Sequence, residues 1–390
     1  MNFKTLYLKL YKYILNNKII IFLLIITFLI ELQGINHGLP DVTHPDEPLI
    51  ITNARKIPSD PNPHFFDWPG NLQIYYTFFL FGLYFLFGFF SKNFHNLNDF
   101  KVQYYIDKTP FYLIGRLSTI LFSLLIVFLT YNFTKKHFSK KAGIYASIIL
   151  SSTFIFIKNS RYALPDIPMT FFLLLSFYFI YKIIESSNKF NYIFGGISLG
   201  LALSLKYNAL VILPFFAVAY IIGNYKKNLK KFMTQSFLDI NLYFFILSFL
   251  FGFFIGCPFC FLSFNEFLNN GILFQLKHQN LGHIGAEASG ISWVYIIFEV
   301  FPRTLGIFIF LIFILSLFNF LKSINTKKFL LILIPFLYIL LMGMSKVVFD
   351  RYVIPIIPFI AIICGVSLYE LDLNLDNKLW KKIFFIIFSL

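Results

Sequence analysis

The sequence predicts an all-α polytopic membrane protein, and three observations carry that prediction. Hydrophobic residues make up 58% of the 390 residues and charged residues only 13%, whereas a soluble domain averages about 25% charged residues. The mean hydropathy is +0.74. Apolar runs of about 17 to 25 residues, long enough to cross the hydrocarbon core as helices, recur along the chain.

The positive charge of the chain fits a membrane protein better than a nucleic-acid-binding protein. The formal net charge is +15, but the lysines are grouped in short clusters between the apolar runs, as the positive-inside rule describes. We therefore predict no nucleic-acid partner. Three cysteines give no disulfide framework, and Cys257-Pro258-Phe259-Cys260 lies in an apolar run without the βαβ context of a redox motif.

The first predicted span covers 19–35. Four lysines precede it, the last of them Lys18, which places the N-terminus in the cytoplasm. Its length and the lack of a small-residue cleavage site indicate an uncleaved span rather than a signal peptide. The proline-rich loop that follows, 36–71, is then external, and 49–57 is predicted to form a short helix on the membrane surface.

His44-Pro45-Asp46-Glu47-Pro48 stands at the start of this external loop. Carboxylates are costly near hydrocarbon, so two adjacent acidic residues at the mouth of a helical bundle indicate a functional site. The alternative is an ordinary solvated loop, where aspartate, glutamate and proline are all common.

Whether segment 72–91 crosses the membrane determines which side of the membrane each later loop faces. The segment is long enough to cross the membrane, but it is rich in aromatic residues, which favour the interface, and two glycines interrupt it. The basic stretch 135–141 is cytoplasmic by the positive-inside rule only if 72–91 stays outside, as a horizontal or re-entrant element. We therefore predict an external region, 36–109, with juxtamembrane helices.

The remaining spans then alternate without conflict, and the lysine clusters fall on the cytoplasmic side. The whole chain, 1–390, reads as one membrane-embedded domain of about ten or more spans. Residues 383–390 look like the start of a further span, as in a chain that is truncated at its C-terminus. The predicted spans after the external region are 110–133, 142–158, 167–184, 190–205, 208–223, 239–262, 292–321, 329–345 and 352–369.

In this predicted topology, several charged side chains lie on the external face of the membrane. A sugar attached to a lipid phosphate suits such a face, because its anion lies at headgroup level and its isoprenoid tail lies in the bilayer. Arginine and lysine would bind the phosphate. A carboxylate would deprotonate an acceptor hydroxyl as it attacks the anomeric carbon, which inverts that centre. The gathered residues are Asp46, Glu47, Arg161, Asp166, Lys206, His278, His283, Glu287 and Arg351.

Several motifs, taken in order, resemble the GT-C integral-membrane glycosyltransferases of the protein mannosyltransferase and lipid A aminoarabinose transferase type (glycosyltransferase family 39-like). The resemblance covers residues 1 to about 365 and implies a GT-C bundle with horizontal helices in the first external loop. The motifs are His44 to Glu47 followed by Asn62 to Phe66, Arg161 to Phe172, Gly200 to Ala202 leading to Lys206-Tyr207, Gly256 to Phe259, Gly282 to Gly285, and Arg351-Tyr352 leading to Pro355 and Pro358.

The resemblance also implies roles for individual residues. Asp46 matches the catalytic base, with Glu47 beside it, and Asp166 matches a second acidic position that supports the site or a metal ion. Lys206 and Arg351 match basic positions near the donor phosphate.

One departure concerns the phosphate site. Asp67-Trp68-Pro69-Gly70 stands where related transferases often carry Lys-Pro-Pro, so a phosphate ligand expected there is missing.

Each of these residues also has a structural alternative. Glu47 could be a carboxylate stabilised at a helix N-terminus, and Asp166 could be the N-cap of span 167–184. Arg161, which the charge pattern adds to the phosphate-binding set, and Arg351 could simply extend to the interface from span ends.

Three histidines and one glutamate are candidates for binding a divalent metal ion or the acceptor, and a metal cofactor is left open. These residues are His44, His278, His283 and Glu287.

The predicted function is transfer of a monosaccharide from a polyprenyl-phosphate-linked donor to an acceptor glycan, lipid or protein. We expect a multi-pass protein of the cell membrane with an extracytoplasmic active site. A transporter or flippase of lipid-linked sugars is an alternative, but it should carry inverted repeats and polar groups at mid-membrane, where Arg116 is the clearest ionisable residue here. A non-catalytic membrane scaffold is a third possibility.

Overall fold

The structure is a computed structural model that describes residues 17–68, 70–224, 238–283, 285–286, 288 and 290–374. These residues form an all-α fold, as predicted. Its α-helices are α1 (Lys18–Leu32), α2 (Glu47–Lys56), α3 (Asn71–Phe90), α4 (Leu97–Ile106), α5 (Thr109–His137), α6 (Lys140–Ser152), α7 (Phe154–Ser160), α8 (Asp166–Glu185), α9 (Lys189–Leu203), α10 (Ile212–Asn224), α11 (Ile240–Gly256), α12 (Phe259–Leu262), α13 (Phe264–Phe267), α14 (Phe274–Leu281), α15 (Ser292–Tyr295), α16 (Phe301–Leu305), α17 (Ile307–Lys322), α18 (Thr326–Met342) and α19 (Ile357–Asn374). Short 3-10 segments cover Tyr207–Val211 and Asp350–Ile356, and π-helical segments cover Leu268–Leu273 and Ile296–Val300.

By length and composition, five helical segments of the described chain could cross a membrane, or six if the bent pair α6 and α7 forms one span. Two shorter apolar helices, α11 and α17, fall in predicted spans. The predicted total of about ten spans therefore stays a prediction. The five segments are Asn71–Phe90, Thr109–His137, Asp166–Glu185, Tyr207–Asn224 and Asp350–Leu373.

The predicted span 142–158 is not a single straight helix. It is divided between α6 and α7, which meet at an angle of 65°. The break falls at Thr153, whose backbone is extended and whose hydroxyl donates a 2.8 Å hydrogen bond to the carbonyl of Ile149. Such a back-bond competes with the helical ladder. The bend turns α7 toward the end of α1.

The main hydrophobic core includes α5, α6, α8 and α19, and it extends to α9, α10, α17 and α18. Phe177 of α8 packs edge-on against Phe359 of α19, with ring centroids 4.9 Å apart. Gly365 lets α19 approach the backbone of α6, because a Cβ there would lie 2.6 Å from the carbonyl oxygen of Ala142. The 3-10 segment that precedes α19 is thereby held at one end of the bundle.

The external region forms its own aromatic cluster, in which α2, α3 and α4 pack around Phe111 at the start of α5. Phe81 and Tyr84 of α3 lie 5.1 and 5.8 Å from the Phe111 ring, and Tyr76 lies 5.7 Å from Phe122. These contacts of α3 fall in the first half of α5. They are compatible with an element that stays on one side of the membrane, which remains a prediction.

Charged side chains collect at the two ends of the long helices. Glu185 at the end of α8 pairs with Lys136 at the end of α5, with N and O 3.0 Å apart, whereas Asp166 opens α8. Because α8 has 20 residues, these ends lie about 30 Å apart. The lysine cluster that contains Lys136 therefore lies at the opposite end of α8 from Asp166, and the side of the membrane that each end faces stays a prediction. Further ion pairs at the basic end join His137 to Glu185, Lys141 to Asp372 and Lys328 to Glu370.

Cys257 and Cys260 are joined by a disulfide, with their Cα atoms 5.5 Å apart. This single bond was not predicted, and it leaves the chain without a disulfide framework in the described residues. Both residues are buried against Phe66, and the Asn71 amide donates a 3.1 Å hydrogen bond to the Cys257 sulfur. The bridge is local, and the hydrogen bond from Asn71 is what joins the end of α11 to the start of α3.

Candidate active site

Asp46 lies in the loop between α1 and α2, directly before the first residue of α2. Its backbone N–H donates to the Nδ1 of His44 at 3.2 Å. Its Oδ2 accepts from the Nη1 of Arg351 at 2.6 Å, and both side chains are about one-fifth exposed, at 20% and 19%. Arg351 comes from the 3-10 segment that precedes α19. Asp46 is thus paired with a cation while remaining accessible.

Asp166 forms a second carboxylate–cation pair, this one almost completely buried. Its Oδ1 accepts from the Nζ of Lys206 at 2.7 Å, and the two residues are 2% and 8% exposed. Asp166 is the first residue of α8, where Pro165 is the N-cap and the cap makes no side-chain hydrogen bond. The capping alternative is therefore wrong, since this carboxylate is directed at Lys206.

Burial governs the charge of Lys206, which lies in the turn after α9. Desolvation lowers the pKa of its ammonium from the usual range, while the nearby Asp166 opposes that change. The ring of Tyr352 lies under the ammonium, with 5.4 Å between Nζ and the ring centroid. The lysine is therefore held between a carboxylate and an aromatic face.

The two pairs belong to one charged cluster. Lys206 is within electrostatic reach of Asp46 as well as Asp166, and Arg351 is likewise within reach of both carboxylates. The structure thus brings together four residues that lie up to 305 positions apart in the chain. Their convergence follows the predicted sidedness, and their chemical roles stay predictions. We call Asp46, Asp166, Lys206 and Arg351 the paired cluster.

Glu47 points away from Asp46 and is fully buried. Its two carboxylate oxygens accept from the Nε and Nη2 of Arg116 at 2.8 and 2.6 Å, and one also accepts from the Ala163 N–H at 2.8 Å. Arg116 Nη1 donates to the carbonyls of Ile35 and His37. This arrangement joins α5 to both loops of the site, so the geometry supports a structural role for Glu47 instead of a chemical one.

Arg161 lies beside the end of α1. Its Nη2 donates to the carbonyl of Ile30 at 2.6 Å, and it lines a cavity of about 430 Å³ next to Gly34 and Tyr162. The sequence prediction grouped Arg161 with the donor-phosphate ligands. This cavity is lined by none of the four residues of the paired cluster, and the role of Arg161 in phosphate binding stays a prediction.

The histidines are divided between two places. His44 packs on Tyr162 with ring centroids 4.7 Å apart, and burial together with nearby Arg351 lowers the pKa of His44. His278 and His283 contact each other, with centroids 5.4 Å apart. Their predicted partner Glu287 lies outside the described residues.

A metal ion finds no suitable ligand set in the described part of the chain. No three His, Cys, Asp or Glu side chains of those residues are grouped so that they could hold one. At Asp166, the second acidic position, the ammonium of Lys206 occupies an oxygen.

Asp67 lies near the paired cluster. The sequence drew attention to it only because it stands where related transferases often carry a lysine. Its carboxylate accepts from the side-chain amide of Gln275, and it lies within electrostatic reach of His278, Asp46 and Lys206. Burial raises the pKa of this carboxyl. The departure from Lys-Pro-Pro was the only sign in the sequence that this position belongs near the site. An acidic side chain stands there in place of the basic one expected from the resemblance.

Comparison with known proteins decides the family. The sequence profile of dolichyl-phosphate-mannose-protein mannosyltransferase matches residues 73–274, which is just over half of the chain. The chain belongs to this mannosyltransferase family. A relative from Aquifex aeolicus, an uncharacterised protein, is 40% identical over 76 residues, or 20% of this chain and 15% of that one.

Solved structures share the fold of this family member. ArnT from Cupriavidus metallidurans, crystallised with undecaprenyl phosphate, superposes with a TM-score of 0.64 at 12% identity over 90% of this chain and 60% of ArnT. The Archaeoglobus fulgidus oligosaccharyltransferase AglB, solved with an inhibitory peptide and a dolichol-phosphate, gives 0.53 at 13% identity over 95% of this chain and 54% of AglB. The chain therefore has the GT-C fold and spans little more than half the length of these proteins.

Two tyrosines complete the cluster in this mannosyltransferase family member. Tyr352 follows Arg351 directly, and Tyr338 of α18 accepts a 2.5 Å hydrogen bond from the Asn208 amide. Tyr338 and Tyr352 are both within electrostatic reach of Asp166. Neither was predicted as a site residue, because aromatic residues are so frequent in this sequence that single ones carry no signal.

Proposed function

We propose that this protein transfers a monosaccharide from a polyprenyl-phosphate-linked donor to an acceptor at the outer face of the cell membrane. The observation that carries the proposal is the paired cluster, in which two carboxylates and two cations meet at one end of an apolar helical bundle. Membership of the mannosyltransferase family supports it. So does the structural neighbour that was crystallised with a polyprenyl phosphate.

Arg351 and Lys206 are proposed to bind the donor phosphate. Guanidinium and ammonium groups form strong charge-assisted hydrogen bonds with phosphate oxygens, and a partly buried position strengthens them. Each cation is 2.6 to 2.7 Å from a carboxylate in this structure. When the phosphate binds, it competes for the cations and leaves the carboxylate of Asp46 available to the acceptor.

Asp46 fits the role of general base better than Asp166. A base must reach the acceptor hydroxyl within hydrogen-bond distance, and Asp46 is about one-fifth exposed. Asp166 is 2% exposed and is bonded to Lys206, so it is suited to holding that ammonium in place.

The proposed reaction is a single displacement. The acceptor oxygen attacks the anomeric carbon as its proton passes to Asp46, and the bond between that carbon and the phosphate oxygen breaks. The electron pair of the broken bond leaves with the lipid phosphate, where Lys206 and Arg351 stabilise the charge. The configuration at the anomeric carbon is inverted.

Asp46→Asn tests the proposed base. We expect the transfer rate from polyprenyl-phosphate sugars to fall by about 10²- to 10⁴-fold, the usual contribution of a positioned base. The measurement is sugar transfer by the purified protein in proteoliposomes, with donors carrying different hexoses.

Asp350→Asn is the matched control. Asp350 is also an aspartate paired with an arginine, Arg303, but it is more exposed and belongs to a different pair. We expect its transfer rate to stay close to that of the wild type. A rate for Asp46→Asn equal to that of this control would remove Asp46 from the mechanism.

A further inference from the structure

The cavity of about 430 Å³ that Arg161 lines lies between the end of α1 and α7. Four of its lining residues, Phe154, Ile157, Lys158 and Arg161, are spaced i, i+3, i+4 and i+7 along α7 and its C-cap, so they form one helix face. Ile30 is among the residues of the opposite wall. The polar end of this face carries two cations, and the other end is apolar.

The cations of this cavity are not matched by equal negative charge. Arg116 also reaches the wall, but Glu47 neutralises it. Lys158 forms no ion pair with any described residue, and the Nε of Arg161 is buried with no hydrogen-bond partner among them. The nearest acid, Glu31, is within electrostatic reach of Arg161. An excess of positive charge remains.

The apolar side of the cavity continues to exposed hydrophobic surface. Phe154 is 55% exposed, and Leu29, next to the lining residue Ile30, is 54% exposed. In a membrane-spanning chain, exposed apolar side chains of this kind face lipid acyl chains. A ligand that satisfies both ends of the cavity has an anionic head and an apolar tail.

The cavity is separated from Asp46 by a single aromatic pair. Tyr162 lines the cavity, and its ring packs 4.7 Å from that of His44, whose Nδ1 accepts from the Asp46 N–H. A head group bound by Lys158 and Arg161 would therefore lie on the opposite side of Tyr162 from the paired cluster.

We propose that this cavity binds the phosphate group of an anionic membrane lipid, at a place distinct from the donor phosphate. The inference goes beyond the proposed function, because this lipid is held apart from Asp46 and is not the acceptor of the sugar. Lys158 and Arg161 bind the head group, and Phe154 and Ile157 contact the first part of the acyl chains. Lys158 and Arg161 form no hydrogen bond or ion pair with the four described residues of the paired cluster.

The test is retention of phosphatidic acid by the purified full-length protein, measured by native mass spectrometry against phosphatidylcholine. We expect Lys158→Gln to weaken phosphatidic acid binding about tenfold, the scale of one lost charge-assisted hydrogen bond. Lys158 makes no hydrogen bond that the fold depends on, so this variant should fold. Arg161→Gln should have a similar or larger effect.

Two further measurements serve as controls. Lys322→Gln, which removes an exposed lysine at the end of α17, should leave retention unchanged. Inorganic phosphate should compete poorly, because it lacks the tail; full competition would show a site for free phosphate and overturn the lipid assignment. Equal retention of phosphatidic acid by the wild type and both cavity variants would refute the proposal.

The experiment separates this inference from the proposed function. If the wild type transfers no sugar but Lys158→Gln still loses phosphatidic acid, the proposed function fails and the lipid site stands. If Lys158→Gln transfers sugar normally but loses phosphatidic acid, both the proposed function and the lipid site stand. Donor polyprenyl-phosphate binding should be the same in Lys158→Gln and the wild type.

Discussion

Glu47 and Asp46 are neighbours in the sequence with opposite surroundings in the structure. Asp46 remains accessible beside Arg351, while Glu47 is buried in a bidentate pair with Arg116. The pattern of residues could predict that an acidic pair at this position belongs to a functional site. It could not predict the partner of each acid, because Arg116 is 69 positions from Glu47 and helix rotation decides which side chain it meets.

Arg116→Met should destabilise the protein strongly. It would leave the fully buried Glu47 carboxylate without its main partner, and breaking a buried pair in this way costs about 3 to 5 kcal/mol. Lys136→Met is the control, since Lys136 is on the same helix but its pair with Glu185 is about two-fifths exposed, where pairs contribute about 0 to 1 kcal/mol. Unfolding in detergent, followed by circular dichroism, compares the two; equal losses would contradict the structural role of Glu47.

His64 predicts a pH dependence in the external region. Hydrogen bonds to Glu266 and Asp60 raise the pKa of His64 above 6.5, so the imidazolium joins this loop to α13 most firmly below pH 6.5. The interaction is lost as pH rises through the raised pKa. Hydrogen exchange of residues 61–66 should therefore be slower in the wild type than in His64→Gln at pH 5.5, and the two should converge at pH 9. Equal exchange rates in the wild type and His64→Gln at both pH values would show that His64 does not stabilise this loop.

At the scale of helices, close packing of α9 on α11 positions Lys206. A Cβ on Gly200 would collide with the backbone of α11 at Phe249 and Phe253. Close helix packing therefore explains the glycine of the motif Gly200-Leu201-Ala202. Small residues of this kind allow membrane helices to approach closely. Because α9 ends at Leu203, a shift of this helix would move Lys206 directly.

Gly200→Ala is expected to destabilise the fold and to lower transfer as well. Gly82→Ala is the matched control, because nothing lies within 4 Å of a Cβ at that position and alanine is favoured over glycine in a helix by about 1 kcal/mol. The midpoint of thermal unfolding should fall for Gly200→Ala and stay level or rise for Gly82→Ala. The reverse order would show that α9 and α11 are not packed as described.

Sequence reasoning located helices better than it located their bends. Hydropathy gives the length of an apolar run, and α5 and α8 agree closely with predicted spans. The turn at Thr153 comes from one residue with an extended backbone, which leaves the run of apolar residues unchanged. Lys158 and Arg161 follow that bend and line the cavity beside α1, a placement that hydropathy alone does not predict.

At the scale of the whole molecule, the charge pattern predicted which residues share an end of the bundle. Asp46, Asp166, Lys206 and Arg351 meet there, and Lys136 meets Glu185 at the other end. The rule works because lysine clusters mark loops irrespective of helix packing. The rule does not predict the position of Asp67. That residue lies near the paired cluster because of the way the loop between α2 and α3 packs.

The proposed sidedness predicts the accessibility of two positions. Lys101→Cys in α4 should react with a membrane-impermeant maleimide on intact cells, and Lys140→Cys at the start of α6 should react only after permeabilisation. Both side chains are exposed in the structure, so burial does not explain a negative result. Labelling of Lys140→Cys from outside would reverse the proposed orientation.

The most direct test of the account compares donor binding with transfer in two variants of one ion pair. Asp46→Asn should bind polyprenyl phosphate about as well as the wild type and transfer almost no sugar, because it removes the proposed base and leaves the cation. Arg351→Met should lose most of the binding. If Asp46→Asn transfers sugar normally, or if Arg351→Met binds polyprenyl phosphate as the wild type does, the paired cluster is not the active site.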